Sequence, residues 1–112
     1  MSLYAPGLDV MGDALVAVAT KVKLHTADPV DGTSNNTTAA AQTATWTSVN
    51  GQLNLSAAEN FTGGAASGPV TWVSLWNTAL SVCYGAFPIT TGDLAFNAAG
   101  AYTLNDISIT GS

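Results

Sequence analysis

Apolar residues are densest between Val70 and Phe87, where two strand-like runs flank a short interruption of mostly small and polar residues. Residues 70–76 and 82–87 are rich in β-branched and aromatic types, which favour strands, so the pattern predicts a β-hairpin. Side chains alternate across a strand, and both faces of the first strand carry bulky residues. We therefore expect this hairpin to be covered on both sides, by another sheet, a helix or a neighbouring subunit.

The N-terminal residues follow a different period. Apolar residues recur every three or four positions, and Asp9 is placed to cap the first turn, which predicts a helix from about Val10 to Thr20. The residues that carry this period are Met11, Leu15, Val18 and Val22. Residues 1–7 contain Pro6 and Gly7 and are predicted to form an extended arm.

Several shorter patterns predict further strands. Residues 21–26 alternate polar and apolar, residues 45–47 and 51–55 flank an Asn50-Gly51 turn, and residues 107–110 alternate cleanly. Residues 94–104 predict a strand broken near residues 98–100, with four side chains directed inward: Leu94, Phe96, Tyr102 and Leu104.

The segments between these strands read as loops. Residues 31–45 predict a long surface loop that leads into an extended segment, and residues 63–69 and 88–93 predict connections. Phe61 stands alone as an apolar anchor. Six to eight short strands in 112 residues predict a mainly β chain, a single-domain β-sandwich or jelly-roll-like barrel with one short N-terminal helix.

Charge excludes some classes of partner. The chain has two basic residues, Lys21 and Lys23, and seven acidic ones, so it cannot build the basic face that binds nucleic acid or an anionic membrane. Only 8% of residues are charged, against about a quarter in ordinary soluble domains. We therefore expect identical or different partner proteins to cover much of the surface, and we expect the chain to form a homo-oligomer. The lone Cys83 is expected to be a small core residue in a protein assembled in a reducing cytoplasm, because it has no disulfide or zinc partner.

Candidate catalytic and metal-binding residues are few. His25 is the only histidine, and no Gly-x-Ser-x-Gly elbow accompanies it, so a hydrogen-bonded strand-end histidine is the preferred interpretation. Asp28 and Asp31 lie beside Gly32, but they lack most ligand positions of a calcium loop, and turn capping is expected instead. The sequence thus predicts no enzyme, no cofactor and no metal site.

Aromatic residues allow one further hypothesis, an exposed platform for a sugar or peptide. Its members would be Trp46, Trp72, Trp76, Tyr84 and Tyr102. Aromatic residues at alternating strand positions belong more often to a core or a subunit interface, and we favour that interpretation.

The run from Val22 to Pro29 contains Leu24-His25-Thr26-Ala27-Asp28-Pro29, preceded by the predicted helix and followed by Gly32. It resembles the Leu-His-Thr-Ala-Asp-Pro signature of a family of small tailed-bacteriophage virion proteins, often described as tail-fibre or minor structural proteins. Trp46, residues 70–77, residues 92–96 and Gly100 follow the order of that family's later strands. The resemblance covers nearly the whole chain.

This resemblance implies a non-enzymatic protein that is assembled in the host cytoplasm and resides in the virion. Within that class we favour a capsid decoration or cement protein that binds across major-capsid subunits, with a trimer as the expected oligomer. The alternatives are a tail-tip or tail-fibre module that binds tail proteins, and a carbohydrate-binding β-sandwich. The expected interface residues are Leu3 and Tyr4 on the arm, which we expect to lie on a neighbouring subunit, together with Trp72 and Trp76.

Overall fold

The computed structural model describes the backbone of residues 5–49, 52–89, 94–104 and 108–110, and side chains within residues 10–49, 52–89 and 94–104. One helix is followed by nine strands in the described residues. These are α1 (Ala5–Val18), β1 (Lys21–His25), β2 (Gln42–Thr43), β3 (Trp46–Val49), β4 (Gln52–Leu55), β5 (Glu59–Phe61), β6 (Trp72–Trp76), β7 (Cys83–Pro88), β8 (Tyr102–Leu104) and β9 (Ser108–Thr110). The prediction of a mainly β chain with an N-terminal helix is confirmed.

The strands form three antiparallel sheets. A four-stranded sheet has the order β2-β1-β6-β7, a three-stranded sheet has the order β3-β4-β9, and β5 pairs with β8. Strand β1 pairs with β6 from Lys21 opposite Trp76 to His25 opposite Trp72. Strands far apart in sequence therefore lie side by side at the centre of the largest sheet.

The central hairpin forms as predicted, from β6 and β7. Val73, Ser74 and Leu75 are each 0% exposed, so consecutive side chains on both faces of β6 are covered within this chain. The register shifts between Leu75 and Trp76, which is a β-bulge, and Pro88 is the last residue of β7. Among the described strands, β7 pairs only with β6 and forms one edge of the sheet.

The second predicted hairpin also forms. β3 pairs with β4 from Trp46 opposite Leu55 to Val49 opposite Gln52. The Asn50-Gly51 turn lies outside the described residues. Strand β9 adds to β4 near the predicted position, and the side chains of residues 107–110 lie outside the described set.

The helix begins earlier than predicted. It starts at Ala5, so residues 5–7 are helical and do not form an arm, and Asp9 lies too far inside the helix to cap it. Pro6 fits because the first turn of a helix has no intrahelical partner for the missing N–H. The part of the predicted arm that contains Leu3 and Tyr4 lies outside the described residues.

The face of α1 that packs inward also differs from the prediction. The helix packs on β3 and β4, with Gly12 buried and with Leu15 and Val16 against the core. Met11 and Val18 are 54% and 43% exposed, although the periodicity placed them inward. Apolar residues surround most of this helix, so hydrophobic spacing alone could not select the buried side.

The region from Leu94 to Leu104 is mostly irregular, with an isolated bridge at Ala95 and a turn at residues 98–99. Only Tyr102–Leu104 forms a strand, and the predicted inward position of Leu94 is wrong, because its side chain is 46% exposed. The Asn97 side chain accepts hydrogen bonds from the backbone N–H groups of Ala99 and Ala101, both at 2.9 Å, which holds the predicted break. Phe96, Tyr102 and Leu104 are buried as predicted, and the predicted anchor Phe61 is 0% exposed within the unpredicted strand β5.

Candidate functional site

Residues 26–36, here called the motif loop, leave β1 and fold back onto its sheet. An isolated bridge between His25 and Asn36 closes the base of the loop, and the Thr26 N–H donates to the Asn35 carbonyl at 2.9 Å. Inside the loop the Pro29 carbonyl accepts from the N–H groups of Gly32 at 3.0 Å and Ser34 at 3.2 Å. These hydrogen bonds join residues of the loop to one another and give the loop a compact shape.

Gly32 brings the motif loop into contact with the far end of the central hairpin. Its φ of +92° is unfavourable for other residues, and a Cβ placed there would lie 2.6 Å from Cys83 Sγ and 2.9 Å from Trp76 Cζ2. Both the backbone conformation and the close approach therefore require glycine. The loop covers the sheet face that carries Ser74 and Trp76.

Beneath the motif loop, three side chains form a buried hydrogen-bonded row. Trp76 Nε1 donates to Ser74 Oγ at 2.6 Å, Ser74 Oγ lies 2.6 Å from His25 Nε2, and His25 Nδ1 lies 3.1 Å from the Ser34 carbonyl oxygen. We call this set the His25 row. Strand β6 places Ser74 and Trp76 on one face, and its register with β1 brings His25 to the same face.

The available donors and acceptors fix the direction of these bonds. The Ser34 carbonyl can only accept, so His25 carries its proton on Nδ1 and donates it there. A neutral His25 then accepts at Nε2 from the Ser74 hydroxyl, whose oxygen accepts from the Trp76 indole. All three side chains are satisfied in this single arrangement.

Electrostatics favour the neutral histidine. Burial lowers the pKa of His25 below its usual value of about 6.5, hydrogen bonding to the Ser34 carbonyl opposes this shift, and the positive charge of Lys23 adds to it. The Lys23 ammonium lies 5.0 Å from the centroid of the Trp76 ring, a cation–π contact on the same row.

A serine hydroxyl that donates to a histidine is also the arrangement of a catalytic nucleophile and its base. Here His25 and Ser74 are both 0% exposed, and Ser74 Oγ already accepts a hydrogen bond from the indole N–H of Trp76. A substrate cannot reach Ser74 Oγ in this conformation. The geometry therefore supports a role in holding the motif loop on the sheet.

Comparison with known proteins identifies no relative. No protein-family model, no curated protein and no solved structure matches this chain. The functional interpretation consequently depends on the residues themselves and on the resemblance described above.

The other motif residues have structural roles in the motif loop or the core. Leu24 is 1% exposed and Pro29 is fully buried. The Thr26 carbonyl accepts from the Thr71 hydroxyl at 2.8 Å, and Asp28 Oδ1 accepts from the Val30 N–H at 2.8 Å.

The two loop carboxylates cap turns, which is the interpretation preferred from the sequence. Asp31 accepts hydrogen bonds from the hydroxyl and the N–H of Thr33, and these bonds hold the pKa of its exposed carboxyl below the usual value. Within the described residues, no three His, Cys, Asp or Glu side chains cluster in a way that would hold a metal ion. The described part of the chain also contains no helix long and apolar enough to cross a membrane.

Aromatic residues do not form an exposed platform. Trp46, Trp76 and Tyr102 are 4%, 7% and 6% exposed, whereas Trp72 is half-buried and Tyr84 is 41% exposed. Trp76, which we expected at an interface, is instead covered within this chain because the motif loop packs against it. Trp72 keeps partial exposure at the start of β6. Trp46 Nε1 is buried without a hydrogen-bond partner, although the Trp46 side chain belongs to the hydrophobic core.

Cys83 is half-buried, which partly departs from the core position expected of it. Its thiol donates to the Gly85 carbonyl at 3.6 Å, and its sulfur is one of the atoms next to Gly32. Sequence reasoning missed Ser74 as the partner of His25, and Trp76 as the donor to Ser74. Their alternation within β6 places them on one face, but only the pairing with β1 shows that His25 meets them.

Proposed function

We propose that this chain is a non-enzymatic structural protein of a tailed-bacteriophage virion and acts as a capsid decoration protein that binds across major-capsid subunits. The proposal starts from the Leu24-His25-Thr26-Ala27-Asp28-Pro29 resemblance. The described geometry is compatible with it, because His25 of the motif is buried and hydrogen-bonded to Ser74 beneath a loop.

The surface is the observation that carries the proposal. Nine large hydrophobic residues are exposed in the described part of the chain: Val10, Met11, Val18, Val30, Val49, Leu80, Val82, Tyr84 and Leu94. Together with a charged fraction of 8%, they give a surface better suited to burial against other proteins than to isolation in water. A protein that stabilises a shell by covering its subunits needs a surface of this kind.

The carbohydrate-binding alternative gains no support from the structure, because most of the aromatic residues it requires are buried. A tail-tip or tail-fibre position would use a similar surface and is separated from the capsid proposal by location.

Imaging of intact particles tests the proposal directly. The chain would be fused to a compact fluorescent or electron-dense tag and compared with untagged particles of the phage that encodes it. Density distributed over the shell is the expected result. Density confined to the tail would replace decoration with the tail role, and a chain absent from purified particles would contradict the virion proposal altogether.

A further inference from the structure

Helix α1 carries apolar residues on two sides. One side contains the buried Gly12 together with Leu15 and Val16, and it packs on β3 and β4. The other side is open to solvent and contains five exposed apolar residues: Val10, Met11, Ala14, Ala17 and Val18. An amphipathic helix on the surface of a domain needs only the first of these sides, and its opposite side is normally polar.

Helix geometry joins the five exposed residues into one surface. Successive residues of a helix are about 100° apart, so positions three and four away from Ala14 lie on the same side as Ala14. Val10 and Ala17 lie to one side of Ala14, and Met11 and Val18 lie to the other. Together they cover about 120° of the helix circumference. We call these five residues the solvent-exposed face of α1.

Charge does not oppose contact between copies at this face. Its five side chains are all neutral, and Asp13 is the one charged residue among the described side chains of α1. Asp13 lies about 100° from Ala14, beyond the edge formed by Val10 and Ala17. Identical faces can therefore meet without placing carboxylates against each other.

The width of the solvent-exposed face indicates how many helices cover it. A seam between two helices uses only the a and d positions of a heptad, a spacing that Met11, Ala14 and Val18 have. Val10 and Ala17 widen the face beyond such a seam. A wider face is covered more fully when each helix contacts two neighbours. The small side chain of Ala14 at its centre allows these helices to approach closely.

Parallel helices around a three-fold axis provide these two contacts. One edge of the face, Val10 and Ala17, then meets the other edge, Met11 and Val18, of the next copy. The two edges match in height, because residues 10 and 11 are neighbours along the helix, as are residues 17 and 18. Ala14 lies at the axis, and the contact closes after three copies.

We propose that the solvent-exposed face of α1 packs against the same face in two other copies of this chain, as a parallel three-helix contact with Ala14 at its axis. The contact removes exposed apolar side chains from water, which supplies its driving force. It concerns copies of this chain alone, so it does not depend on the virion role. It also gives a structural origin to the trimer that the family resemblance implies.

Cysteine cross-linking of the full-length chain tests this geometry. Single cysteines replace Ala14, Val18 or Asp13 in a Cys83→Ser background, which removes the native thiol. Each variant is treated with a short bismaleimide. Parallel helices place each position of the face near its equivalents, so Ala14→Cys and Val18→Cys should cross-link between copies. Asp13→Cys, exposed but outside the face, is the matched control and should cross-link about tenfold more slowly.

A charge at the axis provides a second test. Ala14→Glu would bring three carboxylates together and should weaken self-association, measured by sedimentation, by about tenfold or more. Val49→Glu adds the same charge at an exposed residue of β3 and should leave self-association unchanged. Circular dichroism of diluted samples checks that both variants keep the fold of the wild-type chain.

Three outcomes would overturn the proposal. Val18 residues of antiparallel helices that cross at Ala14 would lie about 12 Å apart along the helix, so cross-linking of Val18→Cys only with Val10→Cys would exclude the parallel arrangement. Unchanged association of Ala14→Glu would place the contact elsewhere. A wild-type chain that stays monomeric at high concentration, with no cross-linking of any variant, would show that copies do not cover this face. The virion role would still be decided separately, by imaging of particles.

Discussion

Ser74 is the residue on which the His25 row depends. Its hydroxyl oxygen accepts a hydrogen bond from Trp76 Nε1, and its hydroxyl group donates one to His25 Nε2. One small side chain therefore supplies the partners of two larger ones. Buried polar groups without partners cost more than the hydrogen bonds themselves contribute. We therefore expect the stability of the motif loop to depend strongly on Ser74.

Replacing Ser74 with alanine should be strongly destabilising. Ser74→Ala leaves Trp76 Nε1 and His25 Nε2 buried without their partner, at about 1–3 kcal/mol for each unsatisfied group. We expect the free energy of unfolding, measured by urea denaturation, to fall by roughly 2–4 kcal/mol. Ser56→Ala, at an exposed position, is the control and should change it by less than about 0.5 kcal/mol. Equal effects of the two changes on the free energy of unfolding would contradict the proposed contribution of the His25 row to stability.

His25 makes stability depend on pH in a defined direction. Its folded-state pKa lies below its unfolded value, so below about pH 6.5 the unfolded chain binds the proton more readily. Stability should be complete above that pH and fall as pH decreases towards the folded pKa, with a slope of at most about 1.4 kcal/mol per pH unit from this residue. Denaturation between pH 5 and 7.5 measures it, since most carboxylates stay charged there. A flat profile would show that His25 titrates alike in both states.

Among the elements, the motif loop and the hairpins differ in how far the sequence predicts them. Both hairpins are local, so alternation and turn residues were sufficient. The predicted helix start is wrong because Pro6 and Gly7 indicate a break in regular structure, whereas the first turn of a helix accepts proline. The meeting of His25 with Ser74 joins positions 49 apart in sequence, and no local pattern encodes that pairing.

Gly32 permits a test of how the motif loop is seated. Gly32→Ala combines an unfavourable φ with a Cβ that would lie 2.6 Å from Cys83 Sγ, so we expect a loss of about 2–4 kcal/mol in urea denaturation. Gly63→Ala is a matched control with φ +84° but with its nearest atom, the Thr38 carbonyl oxygen, at 3.8 Å. It should cost about 1 kcal/mol from the backbone alone. If both changes reduce the free energy of unfolding equally, the motif loop is not closely packed against the hairpin at Gly32.

For the whole molecule, the solvent-exposed face of α1 is a candidate surface for self-association. Val10 and Met11 are 69% and 54% exposed on a helix that already buries its other side against β3 and β4. Apolar contacts are little affected by salt, because screening acts on charged groups. We therefore expect contact between copies to involve this face of α1.

We expect the purified chain to self-associate, with a trimer as the expected species, and to do so almost equally at low and high salt. The double change Val10→Gln with Met11→Gln should shift sedimentation towards the monomer while leaving the free energy of unfolding within about 0.5 kcal/mol. A wild-type chain that sediments as a monomer at high concentration and in 1 M salt would contradict this prediction.

The bulge between β6 and β7, which leaves Tyr84 unpaired, and the terminal Pro88 limit growth of the large sheet at its β7 edge. A strand that arrives beside β7 would meet a distorted backbone at one end and a missing N–H at the other. Uncontrolled strand addition is the route by which crowded β proteins become fibrils, and this border obstructs it. Copies of this chain can therefore be concentrated without joining through the β7 edges of their sheets.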